Sequence, residues 1–304
     1  MKKVIIDVDT GIDDALAILL AAKSEKLDIL GITTVSGNTN LDNATINTLK
    51  VLKLIDKSIP VYKGASKPLL RDISFKRGVH GENGMAGALK DIDYGKEEDK
   101  HAVDFIIDSC LNNKDITIIL VGPMTNMALA LKRKPEIAKN IKEIITMGGA
   151  YNGKGNESLV SEFNVYTDPE SAKIVYNSNV SVKMVGLDVT RKAMLMEDDL
   201  KRLNKNKVTS FVKKVSNHYI DRYFKNTNIK GCALHDPLAV AIALDDSLVE
   251  TNDTFVDVEI KSKYCDGLTI CDFKNTLNKK ANTEVCVDVD SKRFIDMFID
   301  TLNK

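Results

Sequence analysis

Short apolar, β-branched runs alternate with helix-period segments over most of this chain. The runs fall at Val4–Ile6, Ile29–Val35, Ile116–Val121, Glu143–Met147 and Val182–Leu187. Helical patterns lie between them at Asp13–Ser24, Asn43–Asp56, Lys100–Leu111, Asn126–Lys132 and Pro169–Asn177. Such alternation predicts an α/β fold with a Rossmann-like open, largely parallel sheet flanked by helices. A long amphipathic helix carrying His218, Tyr219 and Tyr223 is expected after Lys207. The stretch from Phe255 to Asp290 reads as three additional C-terminal strands, closed by a helix from Ser291. No fixed-period repeat and no Pro/Ser/Gly-rich linker divides the chain, so residues 1–304 are expected to form one domain.

Open α/β sheets bind ligands beyond the carboxyl ends of their strands. Asp7–Asp14, Ser36-Gly37-Asn38, Val121-Gly122-Pro123 and Met147-Gly148-Gly149 each follow a predicted strand, so these turns should meet on one edge. Residues 64–95 and 150–163 are polar, Gly-containing and long for α/β connections, which marks them as candidate functional loops.

The first of those turns holds Asp7, Asp9, Asp13 and Asp14 between a buried strand and a buried helix. Helix capping explains one or two of these aspartates but not all of them. Carboxylates crowded beside a low-dielectric core repel one another, and protonation or a hard divalent cation relieves the repulsion. His235-Asp236-Pro237 reads either as an Asp-capped helix start or as the source of a fifth carboxylate. Asn156, Glu162 and Asn164 read most simply as solvated loop residues, and His80-Gly81-Glu82-Asn83-Gly84 as a turn. His101 is expected on the surface of a charged helix, and Cys232 as an ordinary thiol. The Gly122-Pro123 and Gly148-Gly149 turns lack the glycine spacing of nucleotide-phosphate loops.

Composition narrows the function classes. Lys and Arg number 43, Asp and Glu 43, and that balance disfavours nucleic acid and membrane partners. No apolar run approaches a bilayer span, and Met1-Lys2-Lys3 leads into a strand rather than a signal sequence. Five cysteines without CxxC spacing suggest reduced thiols and a cytoplasmic protein.

Seven motifs in order carry a family resemblance. Asp7-Val8-Asp9-Thr10-Gly11-Ile12-Asp13-Asp14-Ala15 resembles the N-terminal signature of the inosine-uridine preferring nucleoside hydrolases, with Thr10 where many members have Pro. Ile32–Asn38, His80–Gly84, Val121–Asn126, Met147–Gly149, Glu162–Asn164 and His235–Pro237 follow the family's pattern along nearly the whole chain.

The resemblance implies the nucleoside hydrolase fold and hydrolysis of the N-glycosidic bond of purine or pyrimidine ribonucleosides to ribose and free base, in nucleoside salvage. It implies a calcium cofactor held by Asp9, Asp14, Asp236 and the carbonyl oxygen of Val121. Asp9 would be the general base acting on a calcium-activated water, and Asp13 and Asn38 would position ribose and water. Asn164 would bind the 3′-hydroxyl, Asn156 and Glu162 the 5′-hydroxyl. His235 would be the leaving-group acid, with His80, Tyr219 and Tyr223 around the base. A homo-dimer or homo-tetramer is expected. Rival classes are a haloacid dehalogenase-type phosphatase, a nucleoside phosphorylase and a non-catalytic calcium- or ribose-binding protein.

Overall fold

The computed structural model describes residues 1–72 and 84–304. Its elements run β1 (Lys2–Val8), α1 (Ile12–Lys23), β2 (Leu27–Thr34), α2 (Leu41–Leu54), β3 (Val61–Lys63), α3 (Ala102–Asn112), β4 (Ile116–Leu120), α4 (Thr125–Arg133), β5 (Ile141–Met147), α5 (Phe163–Thr167) and α6 (Pro169–Tyr176). They continue with β6 (Val182–Val185), α7 (Leu187–Thr190), β7 (Met194–Met196), α8 (Lys207–Thr227), β8 (Gly231–Ala233), α9 (His235–Leu244), β9 (Val249–Thr254), β10 (Val256–Val258), β11 (Thr269–Cys271), β12 (Thr283–Val289) and α10 (Ser291–Asn303).

Among the described residues, eight strands form one sheet in the order β3-β2-β1-β4-β5-β6-β12-β9. Every pairing in it is parallel except that of β9 with β12. The first six strands have the doubly wound 3-2-1-4-5-6 order. The chain winds outward from β1 to β3, then returns to pair β4 with the other side of β1. The strand order therefore reverses at β1/β4, and the acidic turn after β1 opens into the crevice there.

Both sheet faces are covered. One buried cluster joins α1, α2, α8, α9 and α10 to the sheet, and the other joins α3, α4 and α6. Helix α1 is buried all round from Ile12 to Ala22, as an apolar helix wedged between neighbours must be. Helix α10 buries only one stripe, Phe294, Ile295, Phe298, Ile299 and Leu302, and closes the first face.

The predicted α/β elements are all present, with ends shifted by a residue or two. One boundary is corrected. The run Val182–Leu187 is not strand throughout: β6 stops at Val185, Gly186 turns the chain, and Leu187 begins α7. Strands β3, β7, β8 and β9 were not expected: the first three have only three residues, too few to display a period, and β9 is a mostly polar, exposed edge strand. The three C-terminal strands are β10, β11 and β12, but only β12 joins the main sheet; β10 and β11 pair as a separate antiparallel ribbon. His101 is the exposed N-cap of α3, accepting from the Val103 amide. No helix among the described residues is long and apolar enough to cross a membrane.

Phe298, on α10, is fully buried. Phe298→Ala should lower unfolding free energy by about 3–5 kcal/mol through the lost burial and the cavity left behind, read by urea denaturation.

Candidate active site

The strand ladder carries four turns to one edge. The Val35 amide bonds the Val8 carbonyl and the Val121 amide bonds the Asp7 carbonyl, so β2 and β4 stay zipped to β1 up to the acidic turn. Asp7, Asp9, Asp13, Asp14 and Asp236 are all buried there. Asp9 lies against bare backbone: a Cβ on Gly37 would come 2.0 Å from the Asp9 carboxylate, and one on Gly122 would come 3.1 Å from its amide.

Each carboxylate has its own surroundings. Asp14, in the first turn of α1, reaches back to the amides of Asp9 and Gly11, both at 3.0 Å. That is the return half of a capping box. Asp9 accepts from the backbone amide of Asn38 and, at 3.2 Å, from its Nδ2, which also donates to Asp14 at 3.0 Å. Asp13 spans to the other end of the chain, where one oxygen accepts from the amides of His235 (2.9 Å) and Asp236 (3.0 Å). It thus caps α9, a long-range role that no local pattern announces. Its other oxygen, Oδ1, is buried without a hydrogen-bond partner. Asp7 sits behind Asp9, holding the Thr33 hydroxyl and the Asn126 amide.

The Asp-cap reading of Asp236 is corrected. The N-cap of α9 is Leu234, and the Asp236 carboxylate accepts no hydrogen bond among the described residues. Burial first, then the charges of Asp13, Asp14, Asp9 and Glu162, hold its pKa well above the ordinary value. Burial likewise raises Asp9 and Asp14, and for Asp9 the neighbouring Asp14 charge raises it further.

The solvated-loop reading of Glu162 and Asn164 is also corrected. Glu162 is buried and accepts from the amides of Gly149, Asn164 and Val165. Asn164 is buried and its Nδ2 donates to the carbonyls of Val121 (2.7 Å) and Met147 (3.1 Å), which binds the β4 and β5 turns together. Asn156 does stay exposed, its side chain accepting from the Phe163 amide.

His235 is half-buried, its Nδ1 2.7 Å from the Thr190 hydroxyl. Tyr219 and Tyr223 are half-buried on α8. Burial and then the Asp13 charge raise the Tyr219 phenol. Burial raises the Tyr223 phenol as well, with the Arg191 charge opposing it. Cys232 is a buried thiol whose pKa burial pushes up, so it is held neutral. His80 lies outside the described residues. Sequence reasoning missed Thr190 and Asp188, although both follow β6 and so fall under the same edge rule as the recognised turns.

The whole arrangement has known counterparts. Residues 4–296 match the family model described as inosine-uridine preferring nucleoside hydrolase. The chain belongs to this family. The pyrimidine-specific ribonucleoside hydrolase RihB of Escherichia coli (strain SE11) is 36% identical over 296 residues, covering 96% of this chain and 94% of that protein. The solved purine-preferring ribonucleoside hydrolase from Gardnerella vaginalis superposes with a TM-score of 0.92 at 37% identity, covering 99% of this chain and 98% of the other. The plant nucleoside hydrolase PpNRh1 gives 0.93 at 32% identity, covering 99% of each. This nucleoside hydrolase is therefore an N-glycosyl hydrolase, and the phosphatase and phosphorylase alternatives fall away.

The donor set of the nucleoside hydrolase site suits a hard cation: carboxylate and carbonyl oxygens, no thiolate, and buried carboxylates with no Lys or Arg paired to them among the described residues. The orphaned Asp13 oxygen and the unbonded Asp236 carboxylate are the groups a cation would satisfy. No three His, Cys, Asp or Glu side chains among the described residues already converge as a metal nest. The oxygens of Asp9 and Asp14 are instead turned onto amides.

Burial raises Asp7 and Glu162 to about 7 and Asp13 to about 8. Across the interval from the ordinary carboxyl range to these values, the folded chain keeps protons that the unfolded chain has released. Their contribution to stability is complete below the ordinary range and is lost as pH rises through 7 to 8. In chelator, the melting temperature should therefore be lower at about pH 8.5 than at about pH 6. A melting temperature that rises over this interval would contradict the protonated cluster.

Proposed function

We propose that this enzyme cleaves the N-glycosidic bond of purine and/or pyrimidine ribonucleosides with a calcium-activated water, in nucleoside salvage. The observation that supports it is the set of buried, uncompensated carboxylates at the β1/β4 switch point. Calcium, when bound, would supply the compensating charge, hold oxygen ligands and acidify a water. Asp9, Asp14, Asp236 and the Val121 carbonyl are its proposed ligands.

In this reading Asp9 takes the proton of the attacking water as general base, and Asn38 keeps its carboxylate in place through two hydrogen bonds. Asp13 and Asn38 position ribose, Asn164 the 3′-hydroxyl, and Asn156 and Glu162 the 5′-hydroxyl. Glycoside cleavage builds positive charge on the sugar ring, and the surrounding carboxylates favour that charge over the neutral substrate. His235 protonates the departing base, with His80, Tyr219 and Tyr223 around it. The reading includes a cytoplasmic homo-dimer or homo-tetramer; five unpaired cysteines support the compartment.

A phosphate-free panel of uridine, cytidine, inosine and adenosine, assayed for reducing sugar, should show release that chelator abolishes and calcium restores. Nucleoside binding with no sugar released would overturn the reading. Calcium should also raise the melting temperature, most at the higher pH, where the cluster is ionised. Asp9→Ala should cut turnover on the order of 10²–10⁴-fold in a folded protein, and near-parental turnover would remove Asp9 from the base role. Gly37→Ala, whose methyl group would displace the Asp9 carboxylate, should cost on the order of a hundredfold in kcat. An unchanged rate would show that the position of Asp9 does not limit turnover.

A further inference from the structure

We propose that Thr190 is a positioning residue for this reaction, its hydroxyl holding the His235 ring so that Nε2 is presented to the departing base. The inference rests on the leaving-group acid reading of His235. His235 opens α9, and the Asp13 carboxylate fixes its backbone amide. A fixed backbone still leaves the ring two side-chain rotations. Thr190 Oγ1, 2.7 Å from Nδ1, removes that freedom.

Thr190 is fully buried, whereas His235 is half-buried. Threonines in helices commonly bond the carbonyl four residues back, as Thr45 and Thr48 do here. Thr190 makes no such bond, and among the described residues its hydroxyl bonds only the His235 ring. A hydroxyl can donate or accept, so it holds Nδ1 whether or not that nitrogen carries a proton. With Nδ1 committed to Thr190, the proton delivered to the base comes from Nε2.

The mount is rigid. The Leu187 amide bonds the Gly149 carbonyl at 2.9 Å, and the Leu234 amide bonds the Ala193 carbonyl at 2.9 Å just before His235. The Asp188 carboxylate accepts from the amides of Tyr151 (2.7 Å) and Asn152 (3.3 Å). Arg191 donates to the carbonyls of Lys154 (2.9 Å) and Gly155 (2.7 Å). The turn that carries Thr190 is thus pinned to the β5 edge and to the loop leading to Asn156, and it places His235 relative to both.

The test compares Thr190→Val, Thr190→Ser, His235→Ala and the double variant Thr190→Val/His235→Ala in the calcium-loaded enzyme. Substrates are inosine, uridine and 4-nitrophenyl riboside, whose leaving group needs no proton. Thr190→Val should lower kcat on the nucleosides about tenfold or more, with KM and aryl-riboside turnover within about twofold of the parent. Thr190→Ser should restore most of the rate, and the double variant should be no slower than His235→Ala alone. Equal losses on nucleoside and aryl riboside, or multiplicative losses in the double variant, would overturn the proposal. Parental kcat in Thr190→Val beside an impaired His235→Ala would sink Thr190 alone. Parental nucleoside turnover in His235→Ala would sink the acid reading and this proposal together. Should Thr190→Val fold poorly, Thr190→Ala is read by the ratio of nucleoside to aryl-riboside rates, which is independent of the folded fraction.

Discussion

The burial of several carboxyl groups together at one strand edge is the constraint around which this molecule is organised. Burial raises the carboxyls of Asp9 and Asp14, Asp236 has no hydrogen-bond donor among the described residues, and Asp13 keeps one oxygen orphaned. Isolated, such groups would be expelled from a protein interior. Asp9, Asp13 and Asp14 are held there by backbone amides at the point where the strand order reverses. The cost is left for a ligand or a proton to relieve, and so the stability of the fold depends on pH.

The same side chains serve structure and chemistry at once. Asp14 caps its own helix, Asp13 caps α9, and Glu162 caps the short α5. A carboxylate that accepts two or three backbone amides cannot turn freely, so these caps preorganise the groups that would meet sugar or cation. Behind them, Asp7, Thr33 and Asn126 form a second layer. Asn126 also bonds the Ala65 amide and the Thr34 carbonyl, which fixes the start of the loop after β3 against β1 and β2.

The relatives bracket the chemistry from two sides. A pyrimidine-specific protein and a purine-preferring one lie at nearly the same identity to this chain, with coverage close to complete in both. A shared frame with different bases is what a site divided into a sugar half and a base half would produce. In the proposed reading the sugar half would be the backbone turns and caps at the strand edge, and the base half would draw on His235 and the tyrosines of α8.

Several features were legible in the sequence alone because they depend on near neighbours. The buried strands, the apolar α1, the acidic turn and its place at a strand's carboxyl end follow from periodicity and from residues within a few positions of one another. The ordered motifs added the family and a set of site residues. Tertiary structure decided what distance in the chain conceals. Asp13 meets the start of α9 across 222 positions, and Asn164 meets the Val121 carbonyl across 43. Asp236 could be read as a cap or as a fifth carboxylate, and it is not the cap; Glu162 and Asn164, read most simply as solvated, are buried. Local sequence reports which hydrogen bonds a residue could make with adjacent backbone. Sheet order and helix packing determine which of those bonds are displaced by partners from elsewhere, and here that decided which carboxylates stay unsatisfied.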